Sequence, residues 1–277
     1  MITLLVKTHF ADLLRVNNLL DSLVCSQTML PICVIGDKAI ILRLKKFSEK
    51  ISNLKLIDER EILSKREQEL PGYISQQIVK LRFHETCETD NYFCMDSDGL
   101  VLRKLVVSDF LGTDNFIKDF VVDNNSIELN KYWIQRYSCK RKQYLSDIEA
   151  FFRIKKFVTA HGFVSLSVEI MKEFDKFLID KKLDYSDILN LSPMEFSWYY
   201  GFIQYKGISI RPAINPFHTF HVPSDYEAYL QPVINKEINL KYKGIVLNSN
   251  WADYYNVFKN NQKLPLKYHL RKWLGKL

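Results

Sequence analysis

This sequence has no long apolar run, and its first residues do not have the pattern expected of a signal peptide. Within its 277 residues no run of about 18 apolar residues occurs, so no segment is predicted to span a membrane. The amino-terminal MITLLVKTHF has only a short apolar run and no basic residue before it, so we expect no signal peptide. The five cysteines include no CxxC pair, which predicts neither a disulfide framework nor a zinc knuckle and favours a reducing, cytoplasmic location.

Glycine is absent where one class of nucleotide-binding enzyme needs it. The segment KTHFADL, which follows the first predicted strand, contains no glycine. Sugar-phosphate nucleotidyltransferases use strand-borne aspartate pairs but begin with a Gly-rich phosphate loop at this position, so the omission argues against that class. The chain also has no linker rich in Gly, Ser or Pro and no internal repeat, so we predict one domain over residues 1–277.

Acidic residues are absent from the last part of the chain. After Asp253 the sequence has six basic residues and no acidic one, within a net charge of +7. These are Lys259, Lys263, Lys267, Arg271, Lys272 and Lys276. The asymmetry suggests an anionic partner, either lipid or nucleic acid. Because no recognised nucleic-acid motif occurs, we do not expect nucleic acid as a partner.

The apolar residues of the same segment predict how it meets lipid. In a helix that begins at Pro265, five apolar residues fall on one side: Leu266, Leu270, Trp273, Leu274 and Leu277. Such a basic amphipathic helix buries its apolar face at the headgroup boundary while its cations meet anionic lipid. We therefore predict that the segment lies on an anionic membrane surface. Packing of the same residues against the protein body is the alternative.

Hydrophobic periodicity predicts alternating strands and helices in the first hundred residues. The predicted elements are strands at Ile2–Lys7, Leu30–Ile35 and Leu54–Ile57, helices at Asp12–Val24 and Tyr73–His84, and a strand from Tyr92. Later elements are strands at His161–Leu166, Ile208–Ile214 and Gly244–Leu247, and helices at Val168–Leu178 and from Pro193. The alternation predicts an α/β fold with a mostly parallel sheet flanked by helices.

The most informative motif is Asp96-Ser97-Asp98, within YFCMDSDGLVLR. Two carboxylates at the end of an apolar strand would lie at the carboxyl edge of a sheet, where open α/β folds place their ligands. Their hard oxygen atoms suit Mg2+ or Mn2+, with a diphosphate completing the metal shell. A polar turn that closes a hairpin is the alternative interpretation.

A polar helix face precedes this motif, in GYISQQIVKL (Gly72–Leu81). Gln76 and Lys80 lie four residues apart and so share one face of the helix. Beside a diphosphate, Lys80 would supply positive charge, and Gln76 or Gln77 would supply directional hydrogen bonds. A solvated polar face is the alternative.

These two motifs, followed by SPMEFSWYYG (Ser192–Gly201), resemble a poorly characterised bacterial family of GT-A glycosyltransferases found among surface-polysaccharide genes. The resemblance runs from the first strand to about Asn250 and is weakest between Phe110 and Lys156. It implies a single GT-A (Rossmann-like) domain with a mixed, mostly parallel sheet. Its parts would be a nucleotide-sugar half at 1–105, an acceptor half at 106–250 and a basic carboxyl-terminal helix within 251–277.

The resemblance also implies an activity. We expect a metal-dependent hexosyltransferase that moves a sugar from a nucleotide diphosphate-sugar to a glycan in bacterial surface-polysaccharide synthesis. UDP-sugars are the usual donors of this fold, and Mn2+ or Mg2+ is the expected cofactor. A growing, lipid-linked acceptor would place the enzyme on the inner face of the plasma membrane.

Glu195 is the general base that the resemblance implies, because an inverting transfer needs one carboxylate near the acceptor hydroxyl. The alternatives are a retaining enzyme and a structural role, with Ser192 as helix N-cap and Glu195 as its capping-box partner.

Other positions are assigned by the order of features in the family. For the metal we expect Asp96 and Asp98, with His218 or His221 as a further ligand. The remaining nucleotide-sugar positions are Lys7, Thr8, Asp37 and Ser97, alongside Gln76, Gln77 and Lys80. His161 is assigned to the acceptor pocket.

Overall fold

The computed structural model describes residues 1–122, 131–155, 159–160, 162–221 and 223–247. These residues cluster into two units. The first unit comprises the described residues within Met1–Leu13, Met29–Asp96 and Val106–Ile214, and the second comprises those within Leu14–Thr28, Ser97–Leu105 and 215–247. The single-domain organisation, with divisions at 105 and 250, stays a prediction. His161 and the helix predicted from Pro265 lie outside the described residues.

The strands are β1 (Ile2–Lys7), β2 (Ile32–Gly36), β3 (Leu54–Asp58), β4 (Asn91–Asp96), β5 (Gly99–Val101), β6 (Val121–Val122), β7 (Thr159–Ala160), β8 (Val164–Ser167), β9 (Phe217–Phe220) and β10 (Gly244–Leu247). The α-helices are α1 (Leu13–Cys25), α2 (Lys38–Leu44), α3 (Lys65–Gln68), α4 (Gly72–Arg82), α5 (Val107–Phe110), α6 (Lys131–Phe152), α7 (Val168–Asp180), α8 (Tyr185–Leu191), α9 (Glu195–Tyr205), α10 (Pro223–Tyr229) and α11 (Pro232–Lys241). None of these described helices is long and apolar enough to cross a membrane.

The main sheet of the first unit has the strand order β3-β2-β1-β4-β8. Its first four strands run parallel, and β8 pairs antiparallel with β4. All six residues of β1 and all five of β2 are buried, which is the pattern of strands covered on both faces. The predicted α/β class, with a mixed and mostly parallel sheet flanked by helices, is therefore confirmed.

The core of the first unit is rich in aromatic side chains, and Gly201 on α9 lets a second helix approach closely. A Cβ atom at Gly201 would lie 2.8 Å from the Phe152 ring and 2.9 Å from Ile148, both on α6. On the same helix, the Trp198 indole donates a hydrogen bond to the carbonyl of Ser192 (2.7 Å). The aromatic side chains of SPMEFSWYYG therefore pack in the core of the first unit, whereas Glu195 is the first residue of α9.

The second unit has its own three-stranded sheet, in the order β5-β10-β9. Strand β9 runs parallel to β10, and β5 runs antiparallel to it. A small apolar cluster joins Phe220, Ile245 and Leu247 of these strands to Tyr229 of α10.

Two predicted features are wrong. Ile208–Ile214 forms only a single β-bridge, between Pro212 and Asp119, because proline cannot donate to a strand ladder. The Asp119 carboxylate instead accepts a hydrogen bond from the Arg211 backbone N–H (2.7 Å). The residue before α9 is Met194, whose side chain makes no cap, so Ser192 is not the N-cap of this helix.

Candidate active site

The first unit gathers several predicted site residues at one edge of its sheet. Because β1 to β4 are parallel, their carboxyl ends lie together, with Lys7 opposite Asp96 and Gly36 opposite Asp58 in register. This is the edge where open α/β sheets bind ligands. The register therefore brings Lys7 and Asp96 side by side at this edge, and their role in a ligand site stays a prediction.

A cavity of about 640 Å3 opens in the first unit, at this edge. Its polar lining includes Lys7, His9, Glu59, Arg60, Tyr73 and Gln76. Of these, only Lys7 and Gln76 were predicted from the sequence. Glu59 and Arg60 directly follow β3, so the same rule that pointed to Asp96 could have identified them.

Lys7 is buried at the wall of this cavity and is held by two oxygen atoms. Its ammonium lies 2.8 Å from the Glu59 carboxylate and donates to the Thr8 carbonyl at 2.8 Å. The ammonium therefore has a fixed position, with its charge partly balanced by Glu59.

Asp37 has a clear local role. Its carboxylate accepts hydrogen bonds from the backbone N–H groups of Ala39 (2.8 Å) and Ile40 (3.0 Å), and so caps α2. The backbone N–H of Phe10 also donates to it (3.2 Å). A contact between Asp37 and a nucleotide stays a prediction.

The two glutamines of α4 differ in their surroundings. Gln76 lines the cavity, whereas Gln77 is only 1% exposed. Among the described residues, neither the Gln77 amide nitrogen nor its oxygen has a hydrogen-bond partner. A buried amide without partners is costly, by about 1–3 kcal/mol for each unpaired group. A contact between Gln77 and the donor stays a prediction.

Lys80 brings together two carboxylates from distant parts of the chain. Its ammonium lies 2.8 Å from Asp96 Oδ1 and 3.2 Å from Glu195 Oε1. The side chain of Lys80 is 6% exposed, that of Glu195 is 13% exposed and that of Asp96 is 39% exposed. Solvent exposure therefore increases across the cluster, from the buried Lys80 ammonium to the Asp96 carboxylate at the sheet edge.

Lys80 remains charged in this environment. Burial alone would lower its pKa, but the nearby carboxylates of Asp96 and Glu195 outweigh burial and raise the pKa above its usual value. Its ammonium also lies 5.3 Å from the centre of the Phe196 ring, within range of a cation–π contact. With both carboxylates ionised, the three groups carry a formal charge of −1 together.

The aspartates of the DSD motif belong to different units. Asp96 ends β4 in the first unit, while Ser97 and Asp98 begin the second unit's segment before β5. In the second unit, the Asp98 carbonyl accepts a hydrogen bond from the backbone N–H of Leu247 (2.9 Å). Joint binding of a cation by Asp96 and Asp98 stays a prediction.

The two predicted histidines are in the second unit, on and just after β9. Burial lowers the pKa of His218, and Lys241 lowers it further. Burial, with a smaller effect from His218, lowers the pKa of His221 to about 4. Both rings are therefore neutral near pH 7, which is the form that binds metals. Their role as metal ligands stays a prediction.

A further cluster, which no sequence motif marks, consists of His84, Glu85 and Asp175 in the first unit. The His84 Nδ1 lies 2.8 Å from the Leu81 carbonyl, and its Nε2 lies 2.7 Å from the Asp175 carboxylate. A cation bound at about 2.0–2.2 Å by both Nε2 and that carboxylate would hold them farther apart than this. The spacing therefore fits a hydrogen bond between His84 and Asp175 better than a metal centre.

The fold defined by these elements is that of the GT-A glycosyltransferases. The structure of the galactosyltransferase LgtC, in complex with donor and acceptor sugar analogs, matches with a TM-score of 0.53 at 11% identity, over 99% of this chain and 96% of that one. Mouse xyloside xylosyltransferase 1 matches with a TM-score of 0.50 at 12% identity, over 90% of this chain and 99% of that one. The bifunctional glycosyltransferase WbbM also gives a TM-score of 0.50 at 11% identity, with 98% of this chain aligned to 51% of that one.

The chain belongs to the family described as a family of unknown function, DUF6492, whose model matches residues 2–156. That match includes the Gln76–Lys80 helix face and the DSD motif, and ends before Glu195. No curated protein matches the chain. At the identities given above, the structural matches show the fold alone.

Proposed function

We propose that this protein is a metal-dependent glycosyltransferase that transfers a sugar from a nucleotide diphosphate-sugar to a glycan acceptor. The observation that carries the proposal is the Lys80 cluster, which joins Asp96 and Glu195 at the ligand-binding edge of a GT-A sheet. A sugar transfer of this kind needs help for a departing diphosphate and a base for an incoming hydroxyl. The cluster contains a carboxylate suited to each task.

The cavity at the same edge is the proposed place of the donor nucleotide. Lys7 offers a fixed positive charge, and Gln76 and Tyr73 offer hydrogen bonds and an aromatic surface. A UDP-sugar is the donor we propose, because the family resemblance implies it. Thr8, Asp37, Gln77 and Ser97 complete the proposed set around the donor.

Asp96 and Asp98 are the proposed holders of Mn2+ or Mg2+. The donor set fits a hard cation, since both are carboxylates and the Asp96 side chain is 39% exposed at the sheet edge. Such a cation would act as a Lewis acid toward the leaving diphosphate. A neutral His218 or His221 would suit a further ligand position, as the family resemblance implies.

Glu195 is the proposed general base of an inverting transfer. Its carboxylate is mostly buried, and Lys80 holds one of its oxygen atoms. Since Met194 precedes α9 and Glu195 forms no capping box with Ser192, the structural alternative is weakened. A retaining enzyme of the same fold is the alternative, and the configuration of the product separates the two.

The proposed acceptor is a growing, lipid-linked surface polysaccharide at the inner face of the plasma membrane. This part of the proposal rests on the family resemblance and on the basic sequence of residues 251–277. His161 is proposed to line the acceptor pocket on the same grounds.

A thermal-shift screen tests the donor proposal directly. Nucleoside diphosphates and their sugars, each with and without Mn2+, would be added to the full chain. We expect stabilisation by one base class, strongest with Mn2+, because a ligand that binds only the folded state stabilises it. Equal melting temperatures across the whole panel would contradict the proposal.

A further inference from the structure

Lys80 separates two carboxylates that would otherwise be neighbours. Asp96 Oδ1 and Glu195 Oε1 both contact the Lys80 ammonium, at 2.8 Å and 3.2 Å. The three residues come from β4, α9 and α4 of the first unit, so the main elements of the fold converge here. Such convergence on one buried cation indicates a specific role for its charge.

Two simpler roles for Lys80, as a general base or as a ligand of the donor diphosphate, fit this geometry less well. The Lys80 ammonium lies between two carboxylates, a setting that suits a cation and not a base. The ammonium donates a hydrogen bond to Glu195 and forms an ion pair with Asp96, so two carboxylates already occupy its surroundings before any phosphate binds. A purely electrostatic contact with the donor diphosphate would not need both carboxylates.

Without a cation between them, two neighbouring carboxylates would not remain two separate ionised groups. They share a proton or jointly bind a metal, because like charges at close range cannot both stay ionised and unpaired. If Glu195 became a metal ligand, its oxygen atoms could no longer accept a proton from an incoming hydroxyl. The ammonium between them prevents this.

We propose that Lys80 is a positioning residue that acts as a resident cation, confining the divalent metal to the solvent-facing side of Asp96 and keeping Glu195 free of the metal. The different exposures of the two carboxylates support this division, because Asp96 reaches solvent while Glu195 is mostly enclosed. This inference rests on the proposed metal-dependent function. It adds that the metal-binding and proton-accepting carboxylates are kept apart by a lysine side chain.

The test measures binding of Mn2+ alone, by electron paramagnetic resonance, with no nucleotide present. Wild type is compared with Lys80→Met and Lys80→Gln, the second of which keeps an N–H donor for the carboxylates and so protects folding. We expect both variants to bind Mn2+ about tenfold more tightly or better, because removal of the nearby positive charge lets Glu195 join the metal. Lys55→Met, which removes an ammonium paired with Glu88 (2.6 Å) outside the site, is the matched control and should not change binding.

Unchanged or weaker Mn2+ binding by both Lys80 variants would overturn the inference. Unchanged binding with weakened UDP affinity would assign Lys80 to the diphosphate instead. A second arm uses Glu195→Gln, which keeps the Lys80–Asp96 pair. It should bind Mn2+ as wild type does, and a clear loss of affinity would show that Glu195 is a metal ligand and overturn the inference.

The same experiment separates this inference from the proposed function. If wild type binds Mn2+ and the Lys80 variants bind it equally, only the role of Lys80 fails. If wild type binds no Mn2+, with or without UDP, then the proposed metal dependence and the role of Lys80 fail together.

Discussion

The Lys80 ammonium lies 3.2 Å from the Glu195 carboxylate, although 115 positions separate the two residues in the sequence. Lys80 comes from the helix face of GYISQQIVKL, and Glu195 comes from SPMEFSWYYG. The same ammonium contacts Asp96 of the DSD motif at 2.8 Å. Three motifs that were recognised separately in the sequence therefore meet at one point in the first unit.

Replacement of Glu195 by Gln should lower kcat by about 10²- to 10⁴-fold, because the amide cannot accept the proton of the acceptor hydroxyl. The KM for the donor should change little. Glu173→Gln is a matched control, since Glu173 is a half-exposed glutamate of α7 that pairs with Lys206 away from the site. An unchanged kcat, or a product with retained anomeric configuration by NMR, would remove the base role.

Replacement of Gly201 by Ala should destabilise the protein. The added Cβ would meet the Phe152 ring at 2.8 Å and Ile148 at 2.9 Å, and overpacking of this kind costs about 1–3 kcal/mol. Gly72→Ala is the control, because a Cβ there meets no atom within 4 Å. Denaturant unfolding of the two variants measures the difference. Equal stabilities would contradict the close packing of α9 against α6.

The stability of the first unit should depend on pH through Asp119. Burial raises the pKa of this carboxyl, although the Arg211 backbone N–H and the Tyr200 hydroxyl both donate to it and lower the pKa in part. The folded state therefore holds this proton to a higher pH than the unfolded chain does. The resulting stabilisation is present below the unfolded pKa and is lost as the pH rises through the folded one.

Thermal melts of wild type and Asp119→Asn, from about pH 4 to pH 7, measure this effect. The melting temperature of wild type minus that of the variant should decrease as the pH rises. A constant or increasing difference would show that Asp119 is not the group responsible.

Removal of residues 263–277 should weaken binding to anionic vesicles. The predicted reason is the loss of four basic residues, Lys267, Arg271, Lys272 and Lys276, together with Lys263 and the apolar side chains between them. Each cation near an anionic surface contributes about 1 kcal/mol. Co-sedimentation of the intact chain and the chain ending at Gln262 tests this at low salt. Equal binding, or no binding by either form, would eliminate the membrane role.

The sequence predicted the strands of the main sheet well. The bounds of β1 match the predicted ones, as do those of β10 in the second unit's sheet, because both are short and mostly apolar runs. The placement of Lys7 and Asp96 at the carboxyl ends of parallel strands was predicted from the alternation of strands and helices. Alternating apolar residues misled at Ile208–Ile214, where Pro212 and the contacts of Asp119 fix an irregular path.

The contacts within the site could not be predicted in the same way. Sequence spacing placed Gln76 and Lys80 on one helix face, but it contained no information on which carboxylates would meet Lys80. Pairing across 115 positions depends on how α4 and α9 pack in three dimensions. For the same reason the sequence did not identify Glu59, which pairs with Lys7, or the buried amide of Gln77 that has no hydrogen-bond partner among the described residues.

Donor turnover tests the central claim most directly. The full chain would be incubated with a panel of nucleotide diphosphate-sugars, with Mn2+ or with a chelator, and release of the nucleoside diphosphate would be measured. We expect release from one donor class that requires the metal and is abolished in folded Asp98→Ala. No release from any donor by folded wild type in Mn2+, or near-normal release by Asp98→Ala, would contradict the assignment of this protein as a metal-dependent glycosyltransferase.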